Sequence, residues 1–135
     1  MRERVSLYIY RNGRILFFYR VRPDRTHYVA IGGGVEPGET LVEAALREAK
    51  EETNYDIMLG PKLWEKERIG AYCEYAYLVT EFSGELALGG PELARQTPNN
   101  RHIFKWISLE DIPQLDLYPG PVTSAQVAQI RKLLP

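Results

Sequence analysis

Three glutamates within one short segment are the most concentrated set of potential metal ligands in the sequence. Glu48, Glu51 and Glu52 are spaced i, i+3 and i+4, so on an α-helix their carboxylates fall within an arc of roughly 100°. A site built only from oxygen ligands suits Mg²⁺ or Mn²⁺. Runs of Glu are also common on solvated helix faces, so the three acids alone leave both interpretations open.

A glycine-rich loop directly upstream favours the metal site. It contains Gly32, Gly33, Gly34 and Gly38, with Pro37 stiffening the turn. Glycines let a backbone come close to a ligand, and their carbonyls can serve as hard oxygen ligands. Bound Mg²⁺ keeps several waters and bridges to substrate phosphates, so the pattern predicts a site for a phosphate-containing ligand.

Local signals predict that the glutamates lie on a helix. Thr40 followed by Glu43 is a capping box, which places the helix start near Leu41. The segment from Leu41 to Thr53 contains no Gly or Pro, and Asn54 tolerates the left-handed conformation that ends a helix. At helical spacing, the apolar side consists of Leu41, Ala44, Ala45 and Ala49.

The whole stretch, GGGVEPGETLVEAALREAKEETNY, resembles the Nudix box. Gly33 matches the first glycine of that motif and Glu39 its first glutamate. The run beginning at Arg47 matches R-E-U-x-E-E-x-G-U, with U a bulky aliphatic residue, and it contains the three glutamates. Asn54 replaces the second glycine, and Ala49 and Tyr55 replace aliphatic positions, but no carboxylate is missing.

The resemblance implies a fold and an activity. We expect a single Nudix hydrolase domain over residues 1–135, an α/β fold built as an α/β/α sandwich with a mixed β-sheet. Enzymes of this family hydrolyse a nucleoside diphosphate linked to another moiety, with water attacking phosphorus. The implied cofactor is Mg²⁺, with Mn²⁺ as an alternative.

The resemblance also implies roles for individual residues. Glu48, Glu51 and Glu52 are expected to hold metal, with the Gly32 carbonyl as a further ligand. Alternatively, either Glu48 or Glu51 is expected to take the proton from water instead of binding metal. Arg47 is expected to be catalytic without being a ligand, by pairing with Glu39 or another carboxylate of the motif and fixing its rotamer.

A further acid, in the loop before the last core strand, contributes to the site in some family members. The segment from Leu93 to Lys105 contains no acid, and Glu92 is the nearest carboxylate. Asn99, Asn100 and His102 occur there instead. We therefore expect the general base to lie within the Nudix box.

Substrate-binding residues are predicted from charge and from the family. Arg20, Arg22 and Arg25 can pair with a polyphosphate, although a solvated basic loop has the same composition. Ala71 stands where ADP-ribose-directed relatives often carry proline. Tyr72 stands close to a tyrosine position of dinucleoside-polyphosphate relatives, in a stretch where tyrosines are frequent. The substrate is thus predicted only as a nucleotide-type small molecule.

Composition excludes several other classes of protein. Seventeen basic and 18 acidic residues give a net charge of −1, which offers no electrostatic basis for general nucleic-acid binding. Cys73 is the only cysteine, so there is no intrachain disulfide, and we predict that it is a buried strand residue. With no signal-peptide or membrane-spanning pattern, we expect a cytoplasmic protein, monomeric or homodimeric.

The remaining elements follow from strand periodicity and turn residues. A second cap is predicted at Ser108 to Asp111, and a last amphipathic helix from Val122 to Leu134. Predicted strands run over residues 4–10, 14–21, 28–31, 55–59, 63–68, 72–82 and 103–107.

Two functions are compatible with this sequence. One is a metal-dependent pyrophosphohydrolase, which the intact glutamates favour. The other is a non-catalytic, nucleotide-binding Nudix domain with a regulatory role, which has no need of clustered acids.

Overall fold

A computed structural model describes residues 2–68, 72–89, 93 and 96–135. The strands are β1 Arg2–Arg11, β2 Arg14–Val21, β3 Thr26–Gly34, β4 Asp56–Met58, β5 Lys62–Arg68, β6 Tyr72–Val79, β7 Glu81–Ser83, β8 Arg101–Ser108 and β9 Leu117–Tyr118. Helix α1 spans Leu41–Thr53, helix α2 spans Ser124–Leu133, and a 3₁₀ helix spans Leu109–Gln114.

Seven of these strands form a mixed sheet in the order β5-β6-β1-β2-β3-β9, with β8 added against β2. Strand β1 is parallel to β6 and antiparallel to both β2 and β3. Strand β3 pairs with β2 over its first half and with β1 over its last residues, so the sheet curls where the glycines begin. Strands β4 and β7 form a separate pair.

Alternation along β1 separates two apolar layers. Val5, Leu7 and Ile9 pack with the buried alanines of α1 on one side of the sheet. Tyr8 packs on the other side, in a cluster that contains Val127 of α2. The structure therefore confirms the predicted α/β fold, with helices on both sides of a mixed sheet.

Helix α1 has the predicted ends. Thr40 and Glu43 form both hydrogen bonds of the capping box. Asn54 has φ of 67°, and its backbone N–H donates to the carbonyl of Lys50. The helix is fixed by local interactions, which is why its bounds could be read from the sequence.

Other boundaries differ from the predictions where pairing partners are distant in sequence. Strand β3 is longer than expected because Gly32 and Gly33 pair with Ser6 and Val5 of β1. The segment predicted as one strand from 72 to 82 is two strands, since β6 pairs with β1 and β7 pairs with β4. The segment between β7 and β8 lies partly outside the described residues.

Three smaller predictions were wrong. Ser108 makes no side-chain cap; it is still paired within β8, and a 3₁₀ helix follows it. Helix α2 begins at Ser124 instead of residue 122, because Thr123 forms a capping box with Gln126. Cys73 is only half-buried, because the inward-facing position next to it is taken by Glu74.

Candidate functional site

Arg47 connects the glycine loop to the acidic side of α1. Its guanidinium donates to both carboxylate oxygens of Glu39, at 2.8 and 2.9 Å, and to the Gly34 carbonyl at 3.0 Å. It also donates to Glu48 at 2.9 Å and to Glu51 at 3.3 Å. The predicted pairing of Arg47 with Glu39 is confirmed, and the same cation neutralises two of the crowded helix carboxylates.

The surroundings shift the pKa values of Glu39 and Glu48 in opposite directions. The hydrogen bonds from Arg47, and then the backbone N–H of Glu36, lower the pKa of Glu39 to about 2. Burial raises the pKa of Glu48 above its ordinary value, although the hydrogen bond from Arg47 acts in the other direction. Glu48 is therefore protonated more readily than an exposed glutamate, because its site lacks full solvation.

Glu52 faces inward from α1 to the start of the glycine loop. Its side chain accepts a hydrogen bond of 2.6 Å from the Gly32 backbone N–H, and the residue is only 7% exposed. Gly32 has φ of 141° and lies against the carbonyl of Val5, so a side chain at this position would collide with backbone. The close approach of strand β3 to β1 requires glycine at Gly32.

Gly33 has a different neighbour. A Cβ at Gly33 would meet the carboxylate of Glu48, which is the far end of a side chain and not backbone, and Gly33 has no positive φ. We expect Gly33→Ala to displace this carboxylate and lower activity strongly while the melting temperature changes little. Gly32→Ala is the matched control and should lower the melting temperature markedly, through strain of about 1–3 kcal/mol plus a backbone clash. Equal decreases in melting temperature in Gly33→Ala and Gly32→Ala would contradict this distinction.

One cavity of about 630 Å³ collects acidic and basic groups. Glu48 and Glu52 line it together with Gly32 and Gly33. Four guanidinium groups also line it, which is unusual for an acidic metal site unless an anionic ligand binds beside the metal. The other lining residues are Phe18, Asp24, His27, Val29, His102 and Tyr118, and the arginines are Arg4, Arg20, Arg22 and Arg25.

Each of the arginines predicted to contact substrate lines this cavity. Arg22 lies 3.9 Å from Asp24, and Arg25 donates to Asp116 at 2.9 Å, both at exposed positions. Arg20 donates from Nη1 to Nδ1 of His102 at 2.9 Å.

The bond from Arg20 determines the state of His102. Because a guanidinium only donates, Nδ1 of His102 accepts and Nε2 carries the hydrogen. Burial, and then the charge of Arg20, lower the pKa of His102 to about 4, so the ring is neutral at pH 7. The ring also packs edge-on against Phe18, at 5.1 Å between centroids.

Two predicted site residues lie elsewhere. Glu51 is more exposed than Arg47, with which it pairs, and does not line the cavity. Tyr72 is also outside it, although its hydroxyl lies 3.4 Å from the hydroxyl of Tyr118, a cavity residue. Ala71 and Glu92 lie outside the described residues.

Several cavity residues were not singled out from the sequence, and Arg4 and Tyr118 are the clearest. Arg4 belongs to a predicted strand in which Arg4, Ser6 and Tyr8 occupy one face. The signal that could have identified Arg4 was the presence of polar residues, Arg4 and Ser6, at alternating positions of the strand, beside an apolar face. Tyr118 is brought to the cavity by β9, a strand of two residues that has no periodicity.

The carboxylates do not form a closed metal cage. In the part of the chain that the structure describes, no group of three or more His, Cys, Asp or Glu side chains is arranged to hold a metal ion. The donor set nevertheless fits Mg²⁺, which is commonly bound by one or two carboxylates together with waters and substrate phosphates. Glu48 and Glu52 supply two such carboxylates in one cavity.

A family profile described as NUDIX domain matches residues 1–126. The chain belongs to the Nudix hydrolase family. Its RNA pyrophosphohydrolase relative from Erythrobacter litoralis (strain HTCC2594) is 30% identical over 122 aligned residues, which cover 76% of this chain and 72% of that protein. The family and this relative identify the chain as a Nudix hydrolase.

Solved structures show the same fold. The solution structure of the E. coli ORF135 protein is 26% identical, has a TM-score of 0.75, and covers 98% of this chain and 90% of its own. The MutT NUDIX hydrolase from Burkholderia pseudomallei is 25% identical, with a TM-score of 0.68 and coverage of 98% for both chains. Among the described residues, no helix has the length and apolarity needed to cross a bilayer.

Proposed function

We propose that this Nudix hydrolase cleaves a pyrophosphate linkage in a nucleotide or nucleotide derivative, that it depends on a divalent metal, and that water attacks phosphorus. The observation that carries the proposal is the single cavity in which Glu48 and Glu52 lie with four arginines. Carboxylates suit a hard cation and guanidinium groups suit phosphate oxygens, so the two sets fit the two parts of a metal-bound pyrophosphate.

Glu48 and Glu52 are the proposed metal ligands with direct access to the cavity, joined by the Gly32 carbonyl. Glu51 is proposed as a further ligand because it lies on the same side of α1 as Glu48 and Glu52, although it does not line the cavity itself. Bound Mg²⁺ would neutralise phosphate charge and make a bound water more acidic. Mn²⁺ suits the same oxygen ligands.

The protein groups bind the anion and accept a proton. Arg20, Arg22 and Arg25 are proposed to pair with phosphate oxygens, which reduces the charge that repels an attacking water. Of the two candidates for the base, Glu48 is better placed than Glu51 because it lines the cavity. One oxygen of Glu48 accepts from Arg47, and the other makes no hydrogen bond to a described residue. That second oxygen can take the proton when Glu51 and Glu52 hold the metal in place of Glu48.

The nucleotide class of the substrate is proposed from the family and from the cavity. Tyr118 offers aromatic surface beside the arginines, since it lines the cavity and is 47% exposed. The relative named RNA pyrophosphohydrolase makes the 5′-triphosphate end of RNA a candidate, alongside small nucleotides. A cytoplasmic setting and a single domain over residues 1–135 remain part of the proposal.

A substrate screen tests the proposal. Nucleoside triphosphates, dinucleoside polyphosphates, ADP-ribose and 5′-triphosphorylated RNA are incubated with Mg²⁺ or Mn²⁺, and products are detected by phosphatase coupling or chromatography. We expect turnover of at least one class, loss of turnover in Glu48→Gln, and unchanged turnover in the control Cys73→Ala, because Cys73 does not line the cavity. No turnover with any class, or dependence on Cys73, would overturn the proposal.

A further inference from the structure

A buried carboxylate lies in β6, away from the Nudix box. Glu74 is fully buried. Its Oε1 accepts from Nε and Nη2 of Arg68, at 3.1 and 2.6 Å, and from Nε1 of Trp64 at 3.3 Å. Its Oε2 accepts from the hydroxyl of Ser6 at 2.6 Å. Arg68 balances the charge on one side of the carboxylate, which leaves the other oxygen to hold Ser6.

Ser6 connects the buried carboxylate of Glu74 to Arg4, which lines the cavity. Its hydroxyl donates to Glu74, so its oxygen is oriented to accept, and it accepts from Nε of Arg4 at 3.2 Å. Arg4 also donates from Nη2 to the carbonyl of Ala30 at 2.8 Å. Hydrogen bonds in such a chain polarise and strengthen one another. Arg4 is therefore held at two points, one of them fixed by the buried carboxylate.

The restrained guanidinium faces the proposed substrate. Arg4 lines the cavity, lies 5.5 Å from the ring centre of Tyr118, and is one of the charges acting on Glu48. Its Nη1 makes no hydrogen bond to any described residue. The planar guanidinium of Arg4 therefore has N–H donors that can bind an acceptor oxygen on a ligand.

We propose that Ser6 and Glu74 are positioning residues that orient Arg4 to donate to an acceptor oxygen of the substrate, either on a phosphate or on a base carbonyl. This inference rests on the proposed function, because it assigns a residue of the same cavity. An ion pair with a purely structural role needs Arg68 and Glu74 only. The bridge through Ser6 to a cavity arginine is the feature that such a role does not require.

A double-mutant cycle between Ser6 and Arg4 tests the proposal. Ser6→Ala leaves Glu74 bound to Arg68 and Trp64, and leaves Arg4 bound to Ala30. We expect it to raise KM roughly tenfold with little change in kcat, the effect of one lost hydrogen bond to a charged group. In an Arg4→Ala background the same change should have no further effect on KM, because the group being positioned is gone.

A matched control removes a different hydrogen bond to the same carboxylate. Trp64→Phe loses the Nε1 donor to Glu74 but leaves the bridge from Ser6 to Arg4 intact. It should leave KM unchanged even if it lowers the melting temperature. A KM increase in Trp64→Phe equal to that in Ser6→Ala, or a Ser6→Ala effect that persists undiminished in the Arg4→Ala background, would overturn the proposal.

Binding measurements separate the two sources of the acceptor oxygen and the two proposals. Calorimetry with Mg²⁺ and methylenediphosphonate reports the phosphate part alone. Weaker binding in both Ser6→Ala and Arg4→Ala assigns the oxygen to phosphate, whereas unchanged binding with a raised nucleotide KM assigns it to the base. If the wild type hydrolyses nothing, the proposed function fails. The double-mutant cycle between Ser6 and Arg4 is then measured with binding affinities for methylenediphosphonate and ATP in place of KM. Absence of coupling in those affinities would overturn the positioning role on its own.

Discussion

Glu52→Gln is expected to lower turnover by more than about 100-fold, beyond the range usual for residues that only support a metal ligand. Glu52 is buried at the cavity, and its carboxylate accepts from the Gly32 N–H. Gln keeps an oxygen that can accept this hydrogen bond but removes the negative charge that a cation needs. The melting temperature of the metal-free protein should therefore change little, while activity is lost.

Added Mg²⁺ should also distinguish Glu52→Gln from the wild type by its effect on the melting temperature. A metal that binds only the native state stabilises it by RT ln(1 + [M]/Kd), about 2.7 kcal/mol at a hundredfold excess over Kd. Thermal melts with and without Mg²⁺ should show this shift in the wild type and lose most of it in Glu52→Gln. Glu67→Gln, at an exposed position in β5, is the control and should keep it. A full shift with full activity in Glu52→Gln would show that Glu52 is not a ligand.

Arg47→Ala is expected to be the second most damaging change, with roughly a 10- to 100-fold loss of activity. Arg47 holds Glu39, Glu48 and the Gly34 carbonyl together, so its loss frees the loop from the helix and leaves Glu48 and Glu51 unshielded. Arg47→Lys keeps the charge but cannot make the paired bonds to Glu39, and should recover only part of the activity. Wild-type activity in Arg47→Ala would refute this role.

Arg47→Ala should also change the pH dependence of the protein's stability. A carboxylate whose pKa is lowered on folding stabilises the protein above its unfolded pKa, and that contribution disappears as pH falls through its folded pKa. For Glu39 the interval runs from about 4.5 down to about 2. The difference in melting temperature between wild type and Arg47→Ala should be largest near neutral pH and shrink across this interval. A difference that stays constant down to pH 2.5 would argue against the Glu39 pairing.

The parts of the site predicted from sequence are those fixed within a short segment. The capping box, Asn54 and the helical spacing of the glutamates act over a few residues, so they placed α1 and its acidic side correctly. The partnership of Arg47 with Glu39 followed from the motif and is present in the structure.

The parts that sequence analysis missed depend on pairing between distant segments. Arg4 reaches the cavity because β1 lies against β3, and its orientation depends on Glu74, which is 68 residues from Ser6. The inward position of Glu74 beside Cys73 depends on strand register, which composition does not reveal. Glu51 is equivalent to Glu48 and Glu52 by spacing, yet it does not line the cavity.

Metal-dependent attack by water is the central claim, and it is tested most directly by hydrolysis in heavy-oxygen water. The best substrate from the screen is turned over with Mg²⁺ and, in parallel, with excess EDTA. With Mg²⁺ we expect the label in the phosphate of one product, and with EDTA we expect no product. Equal turnover in EDTA, or products without label, would contradict the proposed function.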